Sequence, residues 1–135
     1  MSAIMDTGVI YALADTDDSW HSRCHDWLSK NRDLLVVPVT VIPEAAYLIR
    51  VRLGSKAELR FAHSLATGEL LLEPLTRSDL GRTNAIMEAH PEIGLVDASV
   101  FAIAVRLKAS AIATTDRRHF VPVLAALKLR FDLVP

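Results

Sequence analysis

Ala3-Ile4-Met5-Asp6-Thr7-Gly8-Val9-Ile10 compresses three elements into eight residues: an apolar run, a carboxylate and the first turn of an apolar helix. Residues 2–6 read as a short buried strand, and Val9, Ile10, Leu13 and Ala14 carry the helix onward. The same plan returns along the chain. Asp116 follows the run Ala111-Ile112-Ala113-Thr114, and Glu44 opens a helix after Leu34-Leu35-Val36-Val37. Asp97 opens the apolar helix that leads toward Asp116. In a chain alternating strand and helix, strand ends and helix starts share one side, because each helix carries the chain back. The four acids are therefore expected along one edge of one sheet.

Between these points the chain shows no repeat, no low-complexity run and no linker long enough to separate domains. Asp17 or Asp18 is expected to cap a second helix with a core stripe of Trp20, Cys24, Trp27 and Leu28. A helix from about Thr40 to Leu53 ends at Gly54, and Ser55 caps another to about Thr67. Leu70-Leu71-Leu72 reads as a third strand. Thr76 or Ser78 caps a helix that reaches His90, where Pro91 stops it, and Val96 to Lys108 is strongly apolar and helical. The tail reads as partly helical from Val121 to Leu129, with a last strand from Phe131 to Val134. Apolar strands separated by helices predict a parallel sheet covered on both faces. Such folds bind ligands in the crevice at the strands' carboxyl ends.

A length of 135 residues suits one domain with a real core, and 51% hydrophobic against 23% charged residues is a globular composition. The mean hydropathy of +0.28 is high for a soluble protein and suggests extra apolar surface for a partner. The longest stretch free of Asp, Glu, Lys and Arg is the ten residues from Leu34 to Pro43. A membrane span needs roughly 20, so no membrane partner is expected. Asp6 interrupts the start before a signal-peptide apolar region could form. The single cysteine, Cys24, excludes an internal disulfide and suits the cytoplasm. A net charge of −1 gives no global pull toward nucleic acid. Basic residues bunch at Arg50, Arg52, Lys56 and Arg60, and again at Arg117 and Arg118; a solvated helix face accounts for most of them.

Taken singly, each acid except Asp6 has a structural explanation. Asp97 can cap its helix, Glu44 favours the first-turn dipole, and Asp116 can close an Asx-turn and pair with Arg117 or Arg118. Asp6 directly after a buried strand is harder to account for. Together the four pose a problem of charge. Two unit negative charges about 4 Å apart repel by about 4 kcal/mol at an effective dielectric of 20. A converging set must protonate, pair with Arg or Lys, or bind a cation. All-oxygen ligands favour Mg²⁺ or Mn²⁺ over zinc, and such an ion in a carboxylate crevice suits phosphodiester hydrolysis.

Four segments resemble the PIN-domain nucleases, in order and over nearly the whole chain: Met5-Asp6-Thr7-Gly8, Val41-Ile42-Pro43-Glu44-Ala45, Leu95-Val96-Asp97-Ala98-Ser99, and Ala113-Thr114-Thr115-Asp116-Arg117-Arg118-His119-Phe120. The likeness is greatest to the small VapC toxins of VapBC toxin–antitoxin operons. It implies an α/β/α sandwich in a single domain over residues 1–135, with a central parallel sheet of four to five strands. It also implies a Mg²⁺-dependent endoribonuclease, Mn²⁺ being an alternative, that leaves a 5′-phosphate and a 3′-hydroxyl. A homodimer and inhibition by a cognate antitoxin go with it. Carried over by residue, Asp6, Glu44, Asp97 and Asp116 are the catalytic and metal-holding acids, and Thr7 and Thr115 supply hydroxyls behind them. An antitoxin would most simply place an Arg or Lys among the acids. Its apolar docking surface is sought on the early helices around Tyr11, Trp20, Trp27 and Tyr47, residues that equally suit a core.

Two other functions compete. An aspartyl-phosphate phosphotransferase would use Asp6 as nucleophile, but Thr7-Gly8 stands where a dehalogenase-type phosphatase has its second Asp. A non-catalytic PIN-like binding module would have no need of all four acids. His21, Cys24 and His25 have zinc-like helical spacing, yet no second ligand pair accompanies them and Cys24 lies in the tryptophan stripe. No Gly-x-Ser-x-Gly elbow and no glycine-rich phosphate loop occur. His119 beside Asp116 reads as closing the turn.

Overall fold

The strands are β1 (Ser2–Met5), β2 (Leu34–Pro38), β3 (Leu71–Glu73), β4 (Ala111–Ala113) and β5 (Asp132–Val134). The helices are α1 (Thr7–Ala14), α2 (His21–Lys30), α3 (Val41–Leu53), α4 (Ser55–Thr67), α5 (Arg77–Ala89), α6 (Leu95–Leu107) and α7 (Arg117–Leu127). A computed structural model describes residues 1–135 and places the strands in one sheet, in the order β3-β2-β1-β4-β5. Every pairing is parallel. Seven helices flank it, giving the expected α/β/α sandwich with five strands.

Ile4 sits opposite both Val36 of β2 and Ile112 of β4, so β1 is the central strand, and its residues Ala3, Ile4 and Met5 are sealed from solvent. The chain order turns from descending to ascending at β1, and the crevice between β1 and β4 is the topological switch point, where the carboxyl ends of open sheets take ligands. Asp6 and Asp116 follow these two strands.

α6 is the core helix. Ala98 through Ala104 are all buried, as expected of a helix that is apolar all round. Phe101 packs on Phe120 of α7 with ring centroids 4.8 Å apart. The last turn of α6 is fixed by a polar lock. Asp79, only 2% exposed, exchanges capping-box hydrogen bonds with Thr76 at the start of α5. Arg106 Nε donates to both Asp79 oxygens at 3.0 Å, and its Nη2 pairs with Glu73 Oε1 at 2.7 Å. Burial pushes the Asp79 carboxyl up, but Arg106 and Thr76 outweigh it and hold the group below its ordinary value. Arg106 is thus structural, tying α6 to Asp79 and Glu73.

Several boundaries differ from expectation. The second helix begins at His21, because Asp15 and Asp18 accept from the backbone N–H groups of Asp17 and Trp20 and shape a turn first. Gly54 rather than Ser55 precedes α4, and the third strand runs one residue later, Leu71–Glu73. α7 begins at Arg117, not near Val121, because Asp116 caps it. Pro122 then lies inside the helix.

Arg106→Met leaves the buried Asp79 charge without its partner. Urea unfolding is expected to show a loss of about 3 kcal/mol, with the double change Arg106→Met, Asp79→Leu recovering part of it.

Candidate active site

Asp6 is held by three bonds that follow from its place in the sequence. Its N–H donates to Ala113 O at 2.9 Å, continuing the β1–β4 ladder by one step. Its backbone is extended and it caps α1, with Oδ1 accepting from Thr7 N–H at 2.8 Å. Oδ2 accepts from the Thr114 hydroxyl, also at 2.8 Å. The same Thr114 oxygen accepts the Asp116 N–H at 3.0 Å. One fully buried threonine at the end of β4 therefore links the Asp6 carboxylate to the backbone of Asp116. Burial, then the nearby Asp97 charge, pushes Asp6 up to about 7 from its ordinary value near 3.8; Thr114 and Thr7 pull it back, and Glu44 adds to the rise.

Asp97 lies in the first turn of α6, but Gly94 is the cap. Capping does not account for Asp97, and no hydrogen bond engages its side chain. Burial, followed by Asp116 and Glu44, raises it to about 6, while His119 lowers it. Asp116 caps α7 by accepting from His119 N–H at 3.1 Å, and its Oδ2 pairs with His119 Nδ1 at 2.9 Å. Its expected partners are elsewhere: Arg117 donates instead to the carbonyls of Leu133 and Pro135. Glu44 is exposed in the first turn of α3, at the rim.

The four acids come from four elements and feel one another electrostatically: Asp6 with Asp97 and Glu44, and Asp97 with Asp116 and Glu44. No three close to the spacing of ligands on one ion. The acids thus form a loose ring of interacting charges and not a closed ligand cage.

Behind them the hydroxyls are distributed differently from expectation. Thr7 assists Asp6 through its backbone N–H, and its own Oγ1 is buried without a partner. Thr115 packs its Oγ1 on Gly8, where an added Cβ would collide with it. The supporting hydroxyl is that of Thr114, which the sequence pattern does not single out; its one signal is a place at the end of β4. The histidine–cysteine trio is not a metal site. Cys24 is fully buried and its thiol is pushed up to about 11, by burial first and then by Asp18. His21 Nδ1 donates to Ala12 O at 2.7 Å.

A parallel α/β/α sheet with Asp6 and Asp116 following the two strands of its switch point defines the class of domain. The PIN domain pattern matches residues 3–123, and the chain belongs to the PIN-domain family. It is 30% identical to Ribonuclease VapC26 of Mycobacterium tuberculosis over 134 residues, covering 98% of this chain and 99% of that protein. In structure it resembles VapC20 of Mycobacterium tuberculosis, a sarcin–ricin-loop-cleaving toxin, with a TM-score of 0.82 at 18% identity over 98% and 99% of the two chains. A toxin–antitoxin complex from Klebsiella pneumoniae gives 0.70 at 15% identity, over 87% and 89%.

The raised acids set a pH dependence of stability. Between the ordinary carboxyl value near 3.8 and about 7, the folded chain holds a proton on Asp6 that the unfolded chain has lost. Stability must therefore fall as pH rises through that window. Thermal melts without divalent cations are expected to show Tm rising from pH 8 to pH 5, with a flatter profile in Asp6→Asn. Equal slopes for the two proteins would refute the assignment.

Proposed function

We propose that this chain is a divalent-cation-dependent endoribonuclease and the toxin of a type II toxin–antitoxin pair. The observation that carries it is the electrostatic coupling of Asp6, Glu44, Asp97 and Asp116, with Asp6 and Asp97 raised by burial first and by neighbouring acids second. The kinship to a ribonuclease over the full length supports the same reading.

The donor chemistry fits a hard cation: every candidate ligand is a carboxylate oxygen, which suits Mg²⁺ or Mn²⁺. Asp6, Asp97 and Asp116 would hold it, with Glu44 reaching in from the rim. Once bound, such an ion polarises phosphoryl oxygen and makes water a better nucleophile. The chain supplies the rest. Thr7 N–H and Thr114 Oγ1 fix both oxygens of Asp6, which also leaves that carboxylate poorly disposed to act as a nucleophile. Asp97, without hydrogen bonds, has both oxygens available to a cation. Arg117 is occupied by the last strand, leaving the exposed Arg118 to meet substrate phosphate.

Control by an antitoxin belongs to this reading. Of the four aromatics considered as a docking surface, Tyr11 is buried with its hydroxyl on Asp15, and Trp20 and Trp27 pack against the core. Tyr47 alone is widely exposed, at 66%. A better candidate surface is the cavity of about 290 Å³ lined by Ile10, Leu13, Leu28, Phe61 and Leu70, between α1, α2 and α4. Its apolar walls suit the apolar face of an antitoxin helix. Homodimerisation goes with the same reading and is read directly by light scattering.

RNA cleavage is expected with Mg²⁺, lost on chelation and restored by adding the ion back. Asp6→Asn, Glu44→Gln, Asp97→Asn and Asp116→Asn should each lose about a hundredfold or more, without additivity, while the far-ultraviolet spectrum stays native. Full activity in Asp97→Asn, or cleavage indifferent to chelation, would overturn the proposal.

A further inference from the structure

Glu44 and Asp97 stand on helices that are not principal packing partners. α3 packs on α1, α4 and β2, whereas α6 packs on α5 and the sheet. The Glu44 charge nevertheless reaches Asp97 and adds to the rise of its carboxyl. One side-chain bond crosses between the two helix starts. Thr40 Oγ1 lies 2.6 Å from Ser99 Oγ, a pair separated by 59 residues. Thr40 precedes the first residue of α3, one helical turn before Glu44; Ser99 lies two residues after Asp97 in α6.

The donors can be assigned. Ser99 Oγ donates its one proton to Val96 O at 2.6 Å, so it accepts from Thr40. Thr40 occupies the cap position of α3 but makes no side-chain cap bond. Its hydroxyl is directed across to α6 and not spent on its own helix. Ser99 is fully buried, and this contact satisfies it.

We propose that Thr40 and Ser99 are positioning residues for the acidic site: their hydroxyl–hydroxyl bond sets the separation of Glu44 from Asp97 and thereby the site's affinity for a divalent cation. The proposal rests on the metal-dependent reading above. It gives the loose ring of acids one fixed dimension, while Thr114 supplies another by joining Asp6 to Asp116. Neither Thr40 nor Ser99 touches substrate or ion; each acts through the acid on its own helix.

Mn²⁺ titration followed by electron paramagnetic resonance tests it, on wild type, Thr40→Val, Thr40→Ser and Ser99→Ala. Thr83→Val serves as the control, because Thr83 is also buried and its hydroxyl bonds only to Asp79 O in α5. Thr40→Val and Ser99→Ala are expected to weaken Mn²⁺ binding by roughly five- to tenfold, the scale of one hydrogen bond. Thr40→Ser should restore wild-type affinity, and saturating metal should restore most of the cleavage rate. Thr83→Val should lower Tm and leave Mn²⁺ affinity alone. Wild-type affinity in Thr40→Val, or an equal loss in Thr83→Val, would overturn the positioning role and leave the metal-dependent reading standing. Absence of Mn²⁺ binding by the wild-type protein would overturn both.

Discussion

The burial of a carboxylate at the end of the central strand, with other acids nearby, is the constraint on which the rest of this molecule turns. Asp6 stands at the end of the central strand, 5% exposed, where a charge is expensive to keep. The fold does not neutralise it with an arginine. It gives one oxygen a backbone N–H and the other a threonine hydroxyl, and sets Asp97 and Glu44 where they raise its proton affinity further. The one basic side chain in contact with these acids is His119, which pairs with Asp116.

Elsewhere the same chemistry is resolved differently. Asp79, like Asp6, is nearly closed to solvent, yet Arg106 answers it directly and its carboxyl falls below the ordinary range. The two ends of α6 thus carry opposite treatments of a buried acid. At one end a closed ion pair ties α6 to the β3–α5 turn; at the other, Asp97 is left without a hydrogen-bond partner, facing other acids. One buried apolar helix joins the two ends.

The parallel sheet, its strand number and the edge holding the acids were legible in the sequence, because strand–acid–helix punctuation at Asp6 and Asp116 forces both onto one side. The structural alternatives weighed for Asp97 and Asp116 came out otherwise: Asp97 does not cap α6, and Asp116 caps α7 and pairs with histidine rather than arginine. Such outcomes depend on one- or two-residue boundaries, which a local pattern fixes poorly. The role of Thr114 was hidden for another reason. Its partners, Asp6 and Asp116, are 108 and two residues away, and only the β1–β4 pairing brings them together. The Thr40–Ser99 bond likewise exists only in three dimensions.

The central claim is that these acids form one site for a hard divalent cation. Crystals grown with Mn²⁺ and measured at its absorption edge address it most directly. The account predicts an anomalous peak within bonding distance of Asp6, Asp97 and Asp116 oxygens, with the ring drawn closer than it stands here. A peak elsewhere, such as at His21 and His25, or no peak at the acids at saturating Mn²⁺, would contradict it.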